Sequence, residues 1–236
     1  MAKWRTLAVA GVLALLGALG FGALGIWQLE RLAWKNALIA AVEARTNAPP
    51  ADPSVDGSWE RFNPEADEYR RVVVRGRFEH ASETLVQAVT AYGGGFWVMT
   101  PLVFDDGRQV LVNRGFVSPE QREPATRPPS GDEVAVTGLL RQSEPSGGFL
   151  RSNDPAGERW YSRDVQAIAR DKRLTNVAPF FIDEEAGEPG TYPIGGLTVL
   201  SFSNNHLVYA LTWFALALML VGGFGYLLWD ARRGTS

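Results

Sequence analysis

Two long apolar runs frame this chain. Leu7–Trp27 carries no charge and matches the ~20 residues that cross the hydrocarbon core of a bilayer. Leu207–Leu228 is a second uncharged run, long enough to span with some tilt. A cleaved signal peptide is the alternative reading of the first run. Its length argues against that, as does the lack of a small-x-small site after it, where Trp27-Gln28-Leu29-Glu30-Arg31 stands instead. The first run therefore reads as a retained anchor. Gly11, Ala14, Ala18, Gly22 and Gly25 form a stripe of small residues at three- and four-residue steps, and the second run offers Ala210, Ala217, Gly222 and Gly223. Such stripes let helix backbones approach closely. Helical spacing continues past the first run, with Trp27, Arg31 and Trp34 at i, i+4 and i+7. The pattern predicts a helix to about Ala44, stopped by Asn47-Ala48-Pro49-Pro50.

Between the runs the pattern changes. Ala48–Asp67, rich in Pro, Asp and Ser, reads as an extended linker. Strands are predicted over Tyr69–Phe78, Glu83–Thr90, Phe96–Phe104, Gln109–Val117, Glu133–Leu140 and Pro179–Asp183. Asp105-Asp106-Gly107 predicts a hairpin turn, Ser118–Gly131 with its four prolines a loop, and Asp164–Arg173 a helix with Asp164 in its first turn. The expected fold is an α+β membrane protein. Two transmembrane helices, forming a hairpin, flank a small antiparallel β-barrel or sandwich with one or two helices. The expected parts are a tail and first transmembrane helix over 1–27, a helical extension over 28–47, a β-rich domain over 48–203, a second transmembrane helix over 204–229 and a tail over 230–236.

Charge adds orientation. Arg232 and Arg233 follow the second run, and no Lys or Arg lies between Arg173 and that run, so the C-terminus is expected in the cytoplasm. Two spans then place both termini inside and the domain outside. The chain carries a formal net charge of −3, and only four of its 23 basic residues (Lys3, Arg5, Arg232, Arg233) and one of its 26 acidic residues (Asp230) lie at the termini. The middle is thus more acidic than the whole, which argues against nucleic acid as a partner. With no cysteine, disulfides, thiolate catalysis and Cys-ligated zinc or copper are excluded.

Catalytic motifs are missing. The two histidines form no His-x-x-x-His pair, and there is no Gly-x-Ser-x-Gly elbow or P-loop, so an enzyme is not expected. Gly93-Gly94-Gly95 reads as a flexible turn and His80 as a surface histidine. Interest falls on Asn204–Trp213, where His206, Tyr209 and Trp213 sit at i, i+3 and i+7 on one helix face. An imidazole at the rim of a span is a ligand candidate. Equally, Asn204 or Asn205 reads as a cap and the two aromatics as an interfacial belt. Trp27 and Trp34 read as interfacial anchors with Arg31 snorkelling or stacking between them, or else Gln28 and Arg31 hold an acidic group of a ligand or partner. Arg114, at a strand end beside Gly115, suits either a carboxylate clamp or an ion pair within the fold.

Four motifs in order resemble the Surfeit locus protein one family. They are Gly25-x-Trp27-Gln28-x-x-Arg31-x-x-Trp34-Lys35; Pro101-Leu102 followed by Val110–Val117; Asn153-Asp154-Pro155 with Trp160; and Asn205-His206-Leu207-x-Tyr209-Ala210-x-Thr212-Trp213-Phe214. The family's second motif often has Trp where Phe116 stands, and its following proline is displaced to Pro119. The resemblance covers nearly the whole chain and implies a role in assembling cytochrome c oxidase, at a bacterial plasma membrane with the domain in the periplasm. A bacterial membrane also suits the short N-terminus. The implied cofactor is haem a, handled transiently for the catalytic subunit, with His206 as the suspected iron ligand. Tyr209, Trp213, Trp27 and the small stripe would then wall the macrocycle, and Gln28, Arg31 or Arg114 would meet its acidic groups. Implied partners are oxidase subunits, the haem a synthesis machinery and the bilayer. Two alternatives stand beside this reading: a cofactor-free scaffold holding oxidase subunits, and a periplasmic sensor, for which the tail after Asp230 leaves no room for an output domain.

Overall fold

The computed structural model describes residues 2–54, 58–127, 133–145, 147–148, 150–200 and 202–233. It divides into two units: 1–41 with 201–236, and 42–200.

The first unit is a pair of helices, α1 (Ala2–Thr46) and α5 (His206–Arg233), both long and apolar enough to cross a membrane. They run antiparallel. Large side chains of α5 reach the small residues of α1: Phe224 at Gly11, Leu220 at Gly17 and Phe214 at Gly25. A Cβ added at Gly25 would lie 2.5 Å from the Phe214 ring, so glycine is what admits that ring. The expected stripe is only partly used, because Gly22 has no neighbour within 4 Å of a Cβ position and Gly222 and Gly223 are exposed. The faces turned away from the pair carry exposed Leu13, Leu16, Leu19 and Leu218.

The second unit begins with the last turn of α1. Val42 is buried there, and Arg45 donates to the Glu68 carbonyl. Six strands follow: β1 (Arg71–Phe78), β2 (Thr84–Thr90), β3 (Gly93–Val103), β4 (Gln109–Val117), β5 (Val134–Gln142) and β6 (Val177–Glu184). The order is β1-β5-β6-β4-β3-β2, and β3 returns to pair with the end of β1. That closes a small barrel, with β1 and β2 acting as one strand bent at His80–Ser82. The connectivity is that of a five-stranded Greek-key barrel of the OB type. An entirely antiparallel sheet was expected, but β4 and β6 pair in parallel. Sequence pattern shows where strands are, and it is silent on which neighbour each one takes.

Alternation along the strands sorts two cores. Val72, Val74, Leu102, Val110, Val112, Val136, Leu140, Phe180 and Ile182 fill the barrel. On the outer face Val86, Met99, Leu111, Trp160 and Phe181 pack beneath α4 (Val165–Asp171). Asp164 is the cap of α4, accepting from the Ala167 N–H at 3.0 Å. Two expectations fail locally. The supposed linker folds into two helical turns, α2 (Ser58–Arg61) and α3 (Pro64–Asp67), and Trp59 meets Phe104 and Phe180 edge-on at 5.2 and 5.7 Å in the barrel core. The triple glycine lies within β3, where a Cβ on Gly95 would strike the Val117 carbonyl of β4. Part of the expected 118–131 loop lies outside the described residues.

Candidate functional site

Polar groups gather at one end of the helix pair. α5 starts at His206, with Asn205 in the cap position, its carbonyl accepting from the Tyr209 N–H. The preceding residue, Asn204, donates its amide to Asn36 Oδ1 at 2.8 Å. His206 Nδ1 lies 2.7 Å from Gln28 Oε1. An amide oxygen only accepts, so Nδ1 carries the proton and donates it. In a neutral ring protonated there, the lone pair is on Nε2. Below this pair Trp213 stacks on Phe21, with ring centroids 5.5 Å apart. Phe21 was missed by sequence reasoning, since one phenylalanine in an apolar run carries no signal.

The expected common face is divided. A seven-residue step returns to nearly the same azimuth on a helix, whereas a three-residue step falls about 60° to one side. His206 and Trp213 therefore turn toward α1, and Tyr209 stays on the flank, 55% exposed. The same geometry separates Gln28, which faces α5, from Trp27, which is 50% exposed. Arg31 stacks over Trp34 at 4.6 Å and forms no ion pair among the described residues. Lys35 lies 5.4 Å over Phe202. Gln28 thus has a partner inside the chain, on His206.

Arg114 belongs to the barrel unit. Its guanidinium lies 4.8 Å over the Phe78 ring, and its charge is felt by the Glu184 carboxyl. Burial pushes Arg114 below its ordinary range, with Glu184 opposing the shift. Burial likewise pushes the Glu184 carboxyl up to about 7, with Arg114 pulling the other way. Glu184 also lines a pocket of about 200 Å³ with Trp97, Arg141, Arg163 and Thr198. The other groups in that pocket are engaged. Asp183, 4% exposed, accepts from Asn113, Arg141, Arg163 and Thr198. Both arginines also face a second carboxylate, Arg141 with Glu68 and Arg163 with Glu144. Nothing in the sequence announces this lattice, because its members are scattered from position 68 to 198.

The sequence profile of the SURF1 family matches residues 15–218, which includes most of α1, the first part of α5 and the whole barrel. Surfeit locus protein 1 of Homo sapiens is 38% identical over 227 residues, covering 87% of this chain and 73% of that protein. The Mus musculus protein of the same name is 38% identical over 224 residues, covering 86% and 70%. A SURF1-like protein of Drosophila melanogaster is 36% identical over 229 residues, covering 87% and 72%. On the extent of these matches, the chain belongs to the SURF1 family.

Proposed function

We propose that this protein is a membrane-anchored assembly factor for cytochrome c oxidase, and that it receives haem a as cargo at His206 for the catalytic subunit. Family membership supports the assembly role. The observation that carries the haem step is the placement of His206 at the first turn of α5, with Nδ1 engaged by Gln28 and Nε2 left to serve as the donor. That donor suits haem iron, which imidazole ligates well. The stacked Phe21–Trp213 pair offers an apolar wall about two turns along the helices, and the Arg31 guanidinium over Trp34 suits a propionate. One strong ligand fits a carrier, which must release what it holds. The protein itself would catalyse no bond change.

Lipid is the proposed surroundings of the helix pair. Its outward leucines would be a large exposed apolar surface in water. The basic residues in the last turn of α5, Arg232 and Arg233, favour a cytoplasmic C-terminus, leaving the barrel on the outer side of a bacterial plasma membrane with oxidase subunits and the haem a synthesis machinery as its partners.

The deciding experiment is a visible redox spectrum of the detergent-purified protein co-expressed with haem a synthesis, beside His206→Ala. A haem a spectrum in the parent that is lost or shifted in the variant is the expected result. A parent that stays haem-free even after haem is added back would replace this reading with a cofactor-free scaffold for oxidase subunits.

A further inference from the structure

The structure assigns Gln28 as a positioning residue for His206: its amide oxygen fixes the imidazole as the Nδ1–H tautomer and aims Nε2 away from the partner helix. Gln28 sets the state of His206 before any ligand arrives. Its use in ligation rests on the haem reading above.

Three observations support it. The Nδ1 to Oε1 distance of 2.7 Å is at the short end of the range for a nitrogen donor. The two residues come from different helices, 178 positions apart, so the bond also fixes the rotation of α5 relative to α1 at this level. Packing on the adjacent turns of the same face holds both residues in place. Gly25 admits the Phe214 ring, and Phe21 stacks on Trp213. Water alone would leave the tautomer of a histidine at a helix start unselected, whereas a single oriented acceptor selects it. Histidines that ligate metals are commonly held this way, by an acceptor on the other ring nitrogen, and losing that acceptor weakens binding about 10–100-fold.

The chain has only two histidines, so the test is clean. The ring nitrogens of the full-length, haem-free protein in detergent would be observed by 15N NMR at a pH where imidazole is neutral, with His80→Gln removing the second signal. The expected spectrum shows His206 as Nδ1–H. Gln28→Leu should move it to a mixture or to Nε2–H, while Gln28→Glu, which keeps an acceptor oxygen, should restore Nδ1–H. A parent spectrum already in the Nε2–H form, or one that Gln28→Leu leaves unchanged, overturns the assignment. Titration with haemin separates this from the haem reading. A roughly 10–100-fold loss of affinity in Gln28→Leu, recovered in Gln28→Glu, supports both. A tautomer shift in a protein that binds no haemin leaves the positioning role standing and removes the haem reading. Haemin binding that needs His206 but ignores Gln28 does the reverse.

Discussion

The barrel and the helix pair treat their polar side chains in opposite ways. In the barrel, Asp183 accepts four hydrogen bonds, and the two arginines that bind it each reach a further carboxylate. That lattice is closed, and its capacity for hydrogen bonding is spent inside the fold. In the helix pair, polar groups come as isolated couples, His206 with Gln28 and Asn36 with Asn204. The first couple uses one imidazole nitrogen and leaves the other. The difference teaches where to look for function. The barrel holds most of the charge and the pocket beside Glu184, yet the charges of its lattice specify structure. The helix pair holds few polar atoms, and the Gln28 contact occupies only one of the two ring nitrogens of His206.

The largest effect that would break this contrast is predicted at Asp183. Asp183→Ala leaves two buried guanidinium groups short of a counter-charge, and removal of one partner from such a buried set costs about 3–5 kcal/mol. Denaturant unfolding of the full chain, followed through the barrel's Trp59, Trp97 and Trp160, should show that loss. The His206 tautomer should not change. A cost below about 1 kcal/mol would mean that the lattice is not structural and that its pocket deserves a ligand search.

Glu184 is the next largest. Its folded pKa is raised from 4.5 to about 7 by burial. Between these values the folded state holds the proton and the unfolded chain does not, so stability is highest below pH 4.5, falls as pH rises toward 7, and levels above it. At ~1.4 kcal/mol per unit the whole drop is roughly 3 kcal/mol. The difference between the parent and Glu184→Gln, measured as unfolding free energy across pH 4–8, isolates this slope from other carboxylates. A flat difference would place the Glu184 carboxylate in water or in a firm pair with Arg114.

Much of this was legible in the sequence, and the failures have physical causes. Gln109–Val117 is β4 to the residue, and Asp106-Gly107 makes its turn, because a short β-branched apolar run and a glycine at φ +81° are local signals. Both long helices were plain from composition. The α2–α3 segment was hidden because turns of four residues have no period to read, and because Trp59 owes its place to Phe104 and Phe180, distant in the chain. At the candidate site, His206, Gln28 and Trp213 were legible as residues of interest. Their pairing was not, since it depends on the register between two helices whose paired residues lie 178 positions apart in the chain. Arg114 was legible as a cation with two open roles, and its burial and its contact with the Phe78 ring were not, because both depend on neighbours distant in the chain.

The smallest effect tests that register directly, because it predicts opposite signs for the same substitution one turn apart. Glycine inside a helix costs about 0.5–1 kcal/mol relative to alanine, so Gly22→Ala, with open space around its Cβ, should raise the thermal midpoint of the helical signal in detergent slightly. At Gly25 the new methyl meets the Phe214 ring at 2.5 Å, and overpacking of about 1–3 kcal/mol outweighs the helical gain. Gly25→Ala should therefore lower the midpoint. It should also loosen the His206–Gln28 bond one turn along, visible as a shift toward the Nε2–H tautomer. If both alanines behave alike, the helices do not meet through Gly25, and the geometry that presents Nε2 of His206 loses its support.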